Sequence, residues 1–453
     1  MSRLKASWWQ KLTGAIRKDL RWFLPGLGVK RWILVILIGT TFLAVGLAYL
    51  LLDVYRTAPE TWWLPFISAI SLRFLARPLR VLIFGGIGVG VILWGVWGLN
   101  RALLRPFVKP GKHVLDTVTA YRRRERGPRI VAIGGGTGLS TLLRGLKNHT
   151  NHLTAVVTVA DDGGSSGELR KSIGILPPGD IRHCLTALSD DEELLSQVFQ
   201  YRFGEGAGLN GHSLGNLFIT ALTDITGSFE EAIAESGRVL ATRGRVLPAT
   251  LHDVKLVADI DLPNTEKQVM VKGESQIPAV EGQIKRVWLE PDNPLAFPPA
   301  IQSILAADLI VVGPGSLFTS ILPNLLVPDL ADAIRMSRAL KFYVCNVATQ
   351  RGETEGFSAL EHLKTIEKHL NENIFDLILC NNNQVSNLPE GINWITADEE
   401  MQVQYSVYCS DQVDSQYPWR HHSGKLAQTI MDLFFERTGP LVYKENGESA
   451  YHR

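Results

Sequence analysis

The sequence predicts an α/β protein with a Rossmann-like, doubly wound and mainly parallel sheet, a small antiparallel β insertion and two preceding transmembrane helices. From residue 129 onward, short apolar β-branched runs alternate with helical patterns. Two long uncharged apolar runs stand before residue 100. Residues 1–127 carry 20 Lys and Arg against 5 Asp and Glu, whereas the rest of the 453-residue chain carries 26 against 40. We therefore divide the chain into a membrane anchor, residues 1–127, and a cytoplasmic α/β domain, residues 128–453.

The two apolar runs, residues 32–52 and 81–99, are free of charged side chains for 21 and 19 residues, and a helix needs about 20 to cross a bilayer. The segments 1–31 and 100–127 hold eight Lys and Arg each, against four in residues 53–80. The positive-inside rule therefore predicts a two-pass protein of the inner (cytoplasmic) membrane with both termini and the main domain in the cytoplasm. Gly86 and Gly90 form a GxxxG pattern, through which membrane helices pair, so a homodimer is a further expectation.

In the cytoplasmic domain, buried parallel strands are expected as nearly continuous apolar runs. Such runs occur at residues 130–133, 154–159, 309–312, 342–345 and 377–379. Helical periodicity predicts helices at residues 140–147, 181–188, 194–201, 214–222, 229–240, 300–306, 358–369 and 425–437. Three further runs have no long helix between them and predict the antiparallel insertion at about residues 250–292, with strands at 254–260, 268–272 and 284–289.

Five residues join the first strand to the first helix, namely Gly134-Gly135-Gly136-Thr137-Gly138. Glycines let backbone N–H groups approach a ligand, and a helix N-terminus adds a partial positive charge. A phosphate is therefore the expected occupant, although a turn needed for tight helix–strand packing gives the same pattern. The loop is not a P-loop, because Leu139-Ser140 follows it instead of Lys-Ser/Thr. The GxGxxG spacing also fails, which weakens a nicotinamide or flavin interpretation.

Small or polar residues follow the other predicted strands as well. Asp161 and Asp162 come after the second strand and are expected to hold a magnesium ion or a ribose. The remaining strands are followed by Gly313-Pro314-Gly315-Ser316, by Asn346 and by residues 381–383. Each group alone is consistent with an ordinary turn. Because open α/β sheets bind ligands outside the carboxyl ends of their strands, their joint placement favours one cleft and a nucleotide-type ligand.

Several polar residues admit two interpretations. Asp180 is interpreted as a helix N-cap, with ligand contact as a second role. Asn216 would reach the cleft from the helix that begins near Ser213, while His212 fits a structural role as well as a ligand role. The pair His421-His422 has no third ligand nearby, which favours surface exposure over metal binding.

Composition excludes some classes of protein. The four cysteines are widely spaced, with no CxxC pair, which is typical of free, mostly buried thiols rather than of a disulfide framework or a zinc site. Nucleic-acid binding would need a basic patch, whereas the α/β domain is acidic. We therefore expect no nucleic-acid partner.

Six motifs in order between residues 134 and 354 carry a resemblance to a known family. They read GGGTGLSTLLRGLK, TVADDGGSSGELR, PPGDIRHCLTALSD, GHSLGNLFITAL, GPGSLFTSILPNLLVPDL and NVATQRGET. Together they resemble the gluconeogenesis-factor (YvcK) family within the superfamily of the 2-phospho-L-lactate transferase CofD, over about residues 128–437. Phe318 stands where that family usually carries Tyr, so one ligand hydrogen bond is lost while an aromatic face for stacking on a base is kept.

The resemblance implies a regulatory protein that binds a UDP-sugar, such as UDP-N-acetylglucosamine, and serves cell shape and envelope synthesis during gluconeogenic growth. Residues 134–138 would then hold the diphosphate, Asp161 or Asp162 a ribose or magnesium ion, and residues 313–316 with Phe318 the base or sugar. The alternative is an enzyme similar to the transferases, which move a phosphoryl-lactyl group from a guanylylated donor. The motifs TVADD and GPGSLFTSI differ from the transferases' NTGDD and GPSNP-type loops, which favours the regulatory protein.

Overall fold

A computed structural model describes residues 29–52, 75–104, 121, 123–190, 192–204, 208–263, 267–439, 444–445 and 448–449. The chain divides into two compact units, residues 1–120 and residues 121–453. Most of the basic flanking residues used for the membrane orientation lie outside the described residues. The predicted orientation therefore stays a prediction.

The first unit contains two helices, α1 (Val29–Leu52) and α2 (Arg77–Leu104). Among the residues described, one continuous helical stretch, Pro78–Leu99 within α2, has the 22 residues and the apolar composition needed to cross a membrane. The apolar stretch of α1 covers Trp32–Ala48, which spans about 26 Å at ~1.5 Å per residue and is shorter than a hydrocarbon core of ~30 Å. The prediction of two transmembrane helices is therefore not confirmed for residues 32–52, and the structure supports at most one.

The two helices of this unit approach each other closely at glycine positions. A side chain on Gly88 would stand 3.0 Å from the backbone nitrogen of Leu43 and 3.2 Å from the carbonyl oxygen of Gly39. A side chain on Gly86 or Gly90 would meet no described atom within 4 Å. Gly88 is thus part of the contact between α1 and α2. The GxxxG pair lies outside this contact, and its role in a homodimer stays a prediction.

Ten strands form the two main sheets of the second unit. They are β1 (Ile130–Gly134), β2 (Leu153–Val157), β3 (Arg245–Pro248), β4 (Lys255–Asp261), β5 (Gln268–Lys272), β6 (Gln283–Glu290), β7 (Leu309–Val312), β8 (Leu340–Val344), β9 (Leu377–Asn381) and β10 (Val407–Ser410). Seven of them pair in parallel in the order β10-β9-β8-β7-β1-β2-β3. The two-residue strands β11 (Lys444–Glu445) and β12 (Glu448–Ser449) pair separately.

The parallel sheet confirms the predicted α/β fold. All five predicted parallel strands are present, and β1, β7 and β9 are buried along their whole length. The two edge strands, β3 and β10, were not predicted. Their sequences, RVLP and VYCS, are only four residues long and are interrupted by an arginine and a proline or by a serine, so their apolar pattern was too short to predict a strand.

Twelve helices accompany the sheets in the described part of the second unit. They are α3 (Gly136–Leu146), α4 (Gly164–Ile173), α5 (Gly179–Leu188), α6 (Glu192–Gln200), α7 (Leu214–Thr226), α8 (Phe229–Val239), α9 (Pro298–Leu305), α10 (Leu322–Leu325), α11 (Pro328–Met336), α12 (Ala359–Leu370), α13 (Glu399–Gln404) and α14 (Ser423–Thr438). A π-helical turn, Leu317–Ile321, leads into α10. Helix α3 packs against α5 and α14, and α9 packs against α11. The eight predicted helices are confirmed, whereas α4, α10, α11 and α13 were not predicted.

The antiparallel insertion is also confirmed, with strand order β5-β4-β6. The turn after β5 is fixed in two ways. The N–H of Gly273 donates to the carbonyl of Leu256 (2.8 Å), and the N–H of Ser275 donates to the carboxylate of Asp162 (2.9 Å). The insertion therefore lies against the residues that follow β2, which makes its turn a wall of the candidate site.

Candidate functional site

A cleft of about 640 Å³ lies where β1, β2, β7 and β8 end, within the second unit. Most of the residues predicted from the sequence line it, namely Gly135, Gly136, Thr137, Gly138, Asp161, Gly315, Ser316 and Asn346. The volume suits a ligand of the size of a nucleotide or a drug-like molecule. Residues that follow four of the five predicted strands thus line one cleft, whereas residues 381–383, which follow the fifth, do not line it.

Five predicted site residues lie outside the lining. The carbonyl oxygen of Gly134 accepts from the Asn324 side chain (2.9 Å), and a side chain on Gly313 would stand 2.8 Å from the carbonyl oxygen of Val344. Both residues therefore join strand ends below the cleft. Asp162 accepts from the insertion turn, as described above.

The other two, Asn216 and Phe318, are buried in the domain interior. The Asn216 side chain donates to Ser165 Oγ (3.1 Å) and so connects α7 to α4. The ring of Phe318 is 1% exposed and packs edge-on against Phe357, with centroids 6.2 Å apart. A ring this deeply buried cannot stack on a base, so the expected stacking role of Phe318 finds no support in this geometry.

Glycine is required in the loop before α3 for two different reasons. Gly136 has a φ of +60°, a conformation that side chains with a Cβ rarely adopt. A Cβ on Gly138 would stand 2.4 Å from the carbonyl oxygen of Pro314, so the loops after β1 and β7 touch through their backbones. A glycine at position 138 is therefore explained by close packing of the two loops, whereas Gly136 faces the cleft.

Asp180 occupies the position at which a phosphate was expected. Its carboxylate accepts a hydrogen bond from the backbone N–H of Gly136, and a Cβ on Gly135 would stand 2.4 Å from its Oδ2. Asp180 lies inside the first turn of α5, after Pro178 as the N-cap, so its interpretation as an N-cap is wrong. Burial, followed by the charge of Asp161, raises the pKa of Asp180 to about 7.

Further carboxylates surround the same part of the cleft. Burial raises the pKa of Asp161, whose Oδ1 accepts from the N–H of Gly163 (2.9 Å) ahead of α4. Burial, together with the charges of Asp161 and Asp180, raises the pKa of Glu274 to about 8. The floor of the cleft is therefore acidic, and its carboxylates repel one another.

Glu353 fills a comparable position near the loop after β7. Its carboxylate accepts from the N–H of Phe318 (3.3 Å) and from Thr319 Oγ1 (3.0 Å), at the start of the π-helical turn. Burial raises its pKa as well. Glu353 and Asp180 thus each satisfy N–H groups at a helical start beside the cleft, which leaves fewer of them for a ligand.

The loop between β8 and α12 holds the residues after β7 in place. Asn346 accepts from the N–H of Gly315 (3.1 Å) and donates to its carbonyl (2.9 Å), and Gln350 donates to Ser316 Oγ (2.8 Å). These contacts explain why polar side chains follow β7 and β8. The side-chain amide of Asn346 is therefore already occupied in part by the protein itself.

His212 has a structural role. Its Nδ1 lies 3.1 Å from Ser165 Oγ and its Nε2 lies 3.3 Å from Glu168. With Asn216, it ties the start of α7 to α4, directly behind the loop that carries Asp161. The GHSLGN motif therefore supports the cleft from outside.

Two histidines line the cleft without being predicted as site residues, His183 and His421. Arg182 donates to Nε2 of His183 (2.7 Å), and burial together with the Arg182 charge lowers the pKa of His183 to about 3. Burial lowers the pKa of His421 to about 4, and its Nε2 donates to the carbonyl of Cys345 (3.2 Å). Both rings are thus neutral near pH 7. The expectation that His421 is exposed is wrong, because its side chain is 7% exposed and bonds to the carbonyl at the end of β8.

The sequence analysis also missed residues that reach the cleft from distant loops. Thr158, Glu274, Arg351, Trp419 and Arg420 belong to this group. Trp419 and Arg420 come from the segment between β10 and α14. An aromatic residue followed by an arginine, close to the paired histidines, was the available signal, but nothing in the local pattern placed it beside the glycine loop.

The residue types at the acidic floor suit a hard divalent cation. Asp161 and Asp180 both line the cleft and interact electrostatically. Within the described residues, no group of three or more His, Cys, Asp or Glu side chains is arranged for a metal ion. Two carboxylates nevertheless suffice for magnesium when the ligand's phosphates supply the remaining oxygens. Asp162, expected to be the second ligand, faces the insertion.

The buried thiols agree with the sequence analysis. Cys184, Cys345 and Cys380 are buried, Cys409 is half-buried, and all four are free.

The raised carboxyl pKa values predict that the ligand-free protein loses stability as pH rises. The folded-state pKa values of Asp180 and Glu274 lie above their unfolded values. Their contribution to the free energy of unfolding is therefore fully present below about pH 4 and is lost as pH rises to about 8. Each group contributes a slope of at most about 1.4 kcal/mol per pH unit. Thermal unfolding at about pH 7 and pH 8.5 measures the loss, because the lowered pKa values of His183 and His421 make stability rise with pH only below about pH 6.5. Asp180→Asn and Glu274→Gln should reduce it, whereas Glu281→Gln, on the surface, should not. A midpoint that rises with pH contradicts the prediction.

Comparisons with known proteins agree with this fold. The family model described as 2-phospho-L-lactate transferase CofD matches residues 130–411. A putative gluconeogenesis factor from Nostoc sp. is 48% identical over 376 residues, which cover 80% of this chain and 79% of the relative. The gluconeogenesis factor of Bacillus subtilis is 50% identical over 258 residues, covering 57% of this chain and 80% of the relative.

A solved structure supports the same conclusion. The crystal structure of a UPF0052-family protein from Bacillus halodurans, at 2.60 Å, is 44% identical with a TM-score of 0.63, and covers 67% of this chain and 99% of that one. The family resemblance seen in the six motifs is thereby confirmed. Since the family model spans more than half of the chain, the chain belongs to the CofD family, and its relatives there include proteins named gluconeogenesis factors.

Proposed function

We propose that the α/β domain is a gluconeogenesis factor that binds a nucleotide sugar, of the UDP-N-acetylglucosamine type, and regulates cell shape and envelope synthesis during gluconeogenic growth. The observation that carries the proposal is one cleft in which a glycine loop at a helix start meets two half-buried carboxylates, Asp161 and Asp180. Such a combination suits a diphosphate that carries a divalent cation. The names of the relatives support the regulatory part of the proposal.

The acidic floor gives the cation a defined task. A diphosphate placed at the Gly136 loop would lie close to the Asp180 carboxylate. Two negative charges close together in a partly desolvated site repel each other strongly. A magnesium ion held by Asp161 and Asp180 would remove that repulsion and coordinate phosphate oxygens. We therefore propose Asp180, instead of Asp162, as the second carboxylate.

The alternative is transfer of a phosphorus-containing group, which the name of the matching family model favours. A carboxyl group with a pKa of about 7, such as Asp180, is suited to proton transfer at neutral pH. Incubation of the protein with a guanylylated phospholactate donor and an acceptor alcohol separates the two. Product formation would establish the transferase, whereas UDP-sugar binding without product supports the regulator.

We further propose that the chain is attached to the inner membrane with its α/β domain in the cytoplasm. Support comes from Pro78–Leu99, which is long and apolar enough to cross a bilayer. The Nostoc relative matches 80% of the chain, which is more than residues 121–453 alone can account for. Its similarity therefore extends into residues 1–120. A homodimer, predicted from the GxxxG pair, is kept as a proposal.

The membrane proposal predicts that the chain sediments with membranes and resists extraction by high salt. A reporter that is active in the cytoplasm should give signal when fused after Arg453, because residues 100–127 carry eight Lys and Arg against four in residues 53–80. Removal of residues 1–120 should release the domain into the soluble fraction. Recovery of the full chain as a soluble protein, or signal from a periplasmic reporter at Arg453, would contradict attachment or orientation, respectively.

The glycine loop predicts a specific loss of ligand binding. Gly136→Val should abolish UDP-sugar binding measured by calorimetry, because a β-branched residue is strained at a φ of +60° and would stand where the ligand approaches. Gly136→Ala should have a smaller effect, since an added Cβ meets no described atom closer than 3.7 Å.

Gly164→Ala is the matched control for this loop. Gly164 also has a positive φ (+43°), starts a helix and has no neighbour within 4 Å of an added Cβ, but it does not line the cleft. It should bind ligand like the unsubstituted protein. Wild-type affinity in Gly136→Val would show that the ligand lies elsewhere. Gly135→Ala is unsuitable, because its methyl group would overlap the Asp180 carboxylate.

The two adjacent carboxylates predict opposite results in a magnesium titration. Asp161→Asn should reduce the magnesium-dependent gain in UDP-sugar affinity by about tenfold or more, as expected when a group that supports a metal site is altered. Asp162→Asn should leave it nearly unchanged, because this carboxylate accepts from Ser275 and its amide replacement keeps an acceptor oxygen. Calorimetry with and without magnesium measures both. Equal losses in the two variants would reject the assignment of the cation to Asp161.

A further inference from the structure

The cleft has two chemically different ends. On the side of β1 and β2 stand the carboxylates Asp161, Asp180 and Glu274. On the side of β8 and β10, the lining contains apolar side chains, Val347, Ala348 and Ile392, together with Trp419. The sheet order places β8 and β10 on one side of β1 and places β2 on the other. A ligand that spans the cleft therefore meets charge at one end and an apolar surface at the other.

The apolar end is supported by its own small core. Val347 and Ala348 form a buried cluster with Val413, against which Ile392 and Trp394 pack. The N–H of Thr349 donates to the carbonyl of Asn393 (2.9 Å) and ties the two loops together. The apolar surface is thus part of the folded domain and is present before any ligand binds.

Trp419 is held at the mouth of this end by a closed loop. The N–H of Asp414 donates to the carbonyl of Arg420 (2.9 Å), and the Asp414 carboxylate accepts from the N–H groups of Gln416 (2.8 Å) and Tyr417 (3.1 Å). The bridge between Val413 and His421 closes the base of the loop. These bonds fix the backbone that carries the tryptophan.

The indole ring is supported on one side and open on another. Tyr417 packs edge-on against it, with centroids 5.7 Å apart, and the Arg420 guanidinium lies 5.4 Å from the Tyr417 ring centroid. Trp419 keeps 37% of its surface exposed. Among the described residues that line the cleft, it is the one Phe, Tyr or Trp. An immobilised aromatic face open to a ligand site is the arrangement on which planar bases stack.

We propose that Trp419 is the stacking platform for the nucleobase, so that the base lies on the β8 and β10 side and the diphosphate lies over the Gly136 loop. The inference rests on the proposed nucleotide-sugar ligand and adds its orientation and a residue that selects for a planar base. It also reassigns the aromatic contact that the sequence suggested for Phe318, whose ring is buried.

The test compares ligands that contain different parts of the proposed one. Full-length protein in detergent is titrated, in the presence of magnesium, with UDP-N-acetylglucosamine, UDP, N-acetylglucosamine 1-phosphate and inorganic pyrophosphate. Trp419→Ala should weaken binding of UDP and of UDP-N-acetylglucosamine by about tenfold. Binding of pyrophosphate and of the sugar phosphate should stay unchanged. Trp419→Phe, which keeps an aromatic face, should retain most of the affinity.

Controls separate stacking from general damage. Tyr201→Ala removes an aromatic side chain that is more exposed than Trp419 (55% against 37%) and does not line the cleft, and this variant should bind all four ligands normally. A loss confined to the sugar-containing ligands, or an equal loss for pyrophosphate, would overturn the proposal. Unchanged UDP affinity in Trp419→Ala would overturn it while leaving the proposed function intact. If the unsubstituted protein binds none of the uridine ligands, the proposed function itself fails. Should Trp419→Ala not fold, Trp419→Leu serves in the same comparison.

Discussion

The crowding of several half-buried carboxylates around one cleft is the constraint on which the rest of the site depends. The Asp180 carboxylate accepts a hydrogen bond from the N–H of Gly136, and the Glu353 carboxylate accepts one from the N–H of Phe318 at the start of the π-helical turn. These hydrogen bonds offset part of the cost of burying the carboxyl groups, yet their pKa values remain raised. The site therefore stores electrostatic repulsion that protons or a cation would relieve. An anionic ligand without a cation would meet this repulsion first.

The same carboxylates also organise the loops. Glu353 comes from the segment after β8 and ends at the start of the π-helical turn after β7. Asn324, which is fully buried, donates to Gly134 (2.9 Å) and to Ser320 (2.7 Å), so the helix after that turn supports the end of β1. Each loop is thus held by a side chain from another loop. Backbones that are fixed before binding require less ordering when the ligand arrives, which favours affinity.

Sequence reasoning located the central strands, the insertion and the glycine loop, because burial on both faces imposes a continuous apolar pattern that is visible in one dimension. It failed where structure depends on distant partners. Asp161 and Asp162 are adjacent in sequence, but only the contact of Asp162 with Ser275, more than one hundred residues away, shows that their side chains serve different neighbours. The residues at 164–173 combine glycines and serines that favour a loop, yet they form α4 because His212 and Asn216 bind its first turn.

The position of Trp419 beside the cleft could not be predicted from the sequence, and it bears on which ligands the cleft would select. Its segment is short and irregular, and its position beside the cleft follows from the pairing of β10 with β9 at the edge of the sheet. Once it is there, the two ends of the cleft require different things of a ligand. In the proposed complex, the acidic end would hold a phosphate with its cation, which many metabolites supply, so it would contribute affinity with little discrimination. The apolar end would hold a planar group, which pyrophosphate and sugar phosphates lack. Discrimination between ligands is a difference between their affinities. It would therefore depend on the apolar end of the cleft.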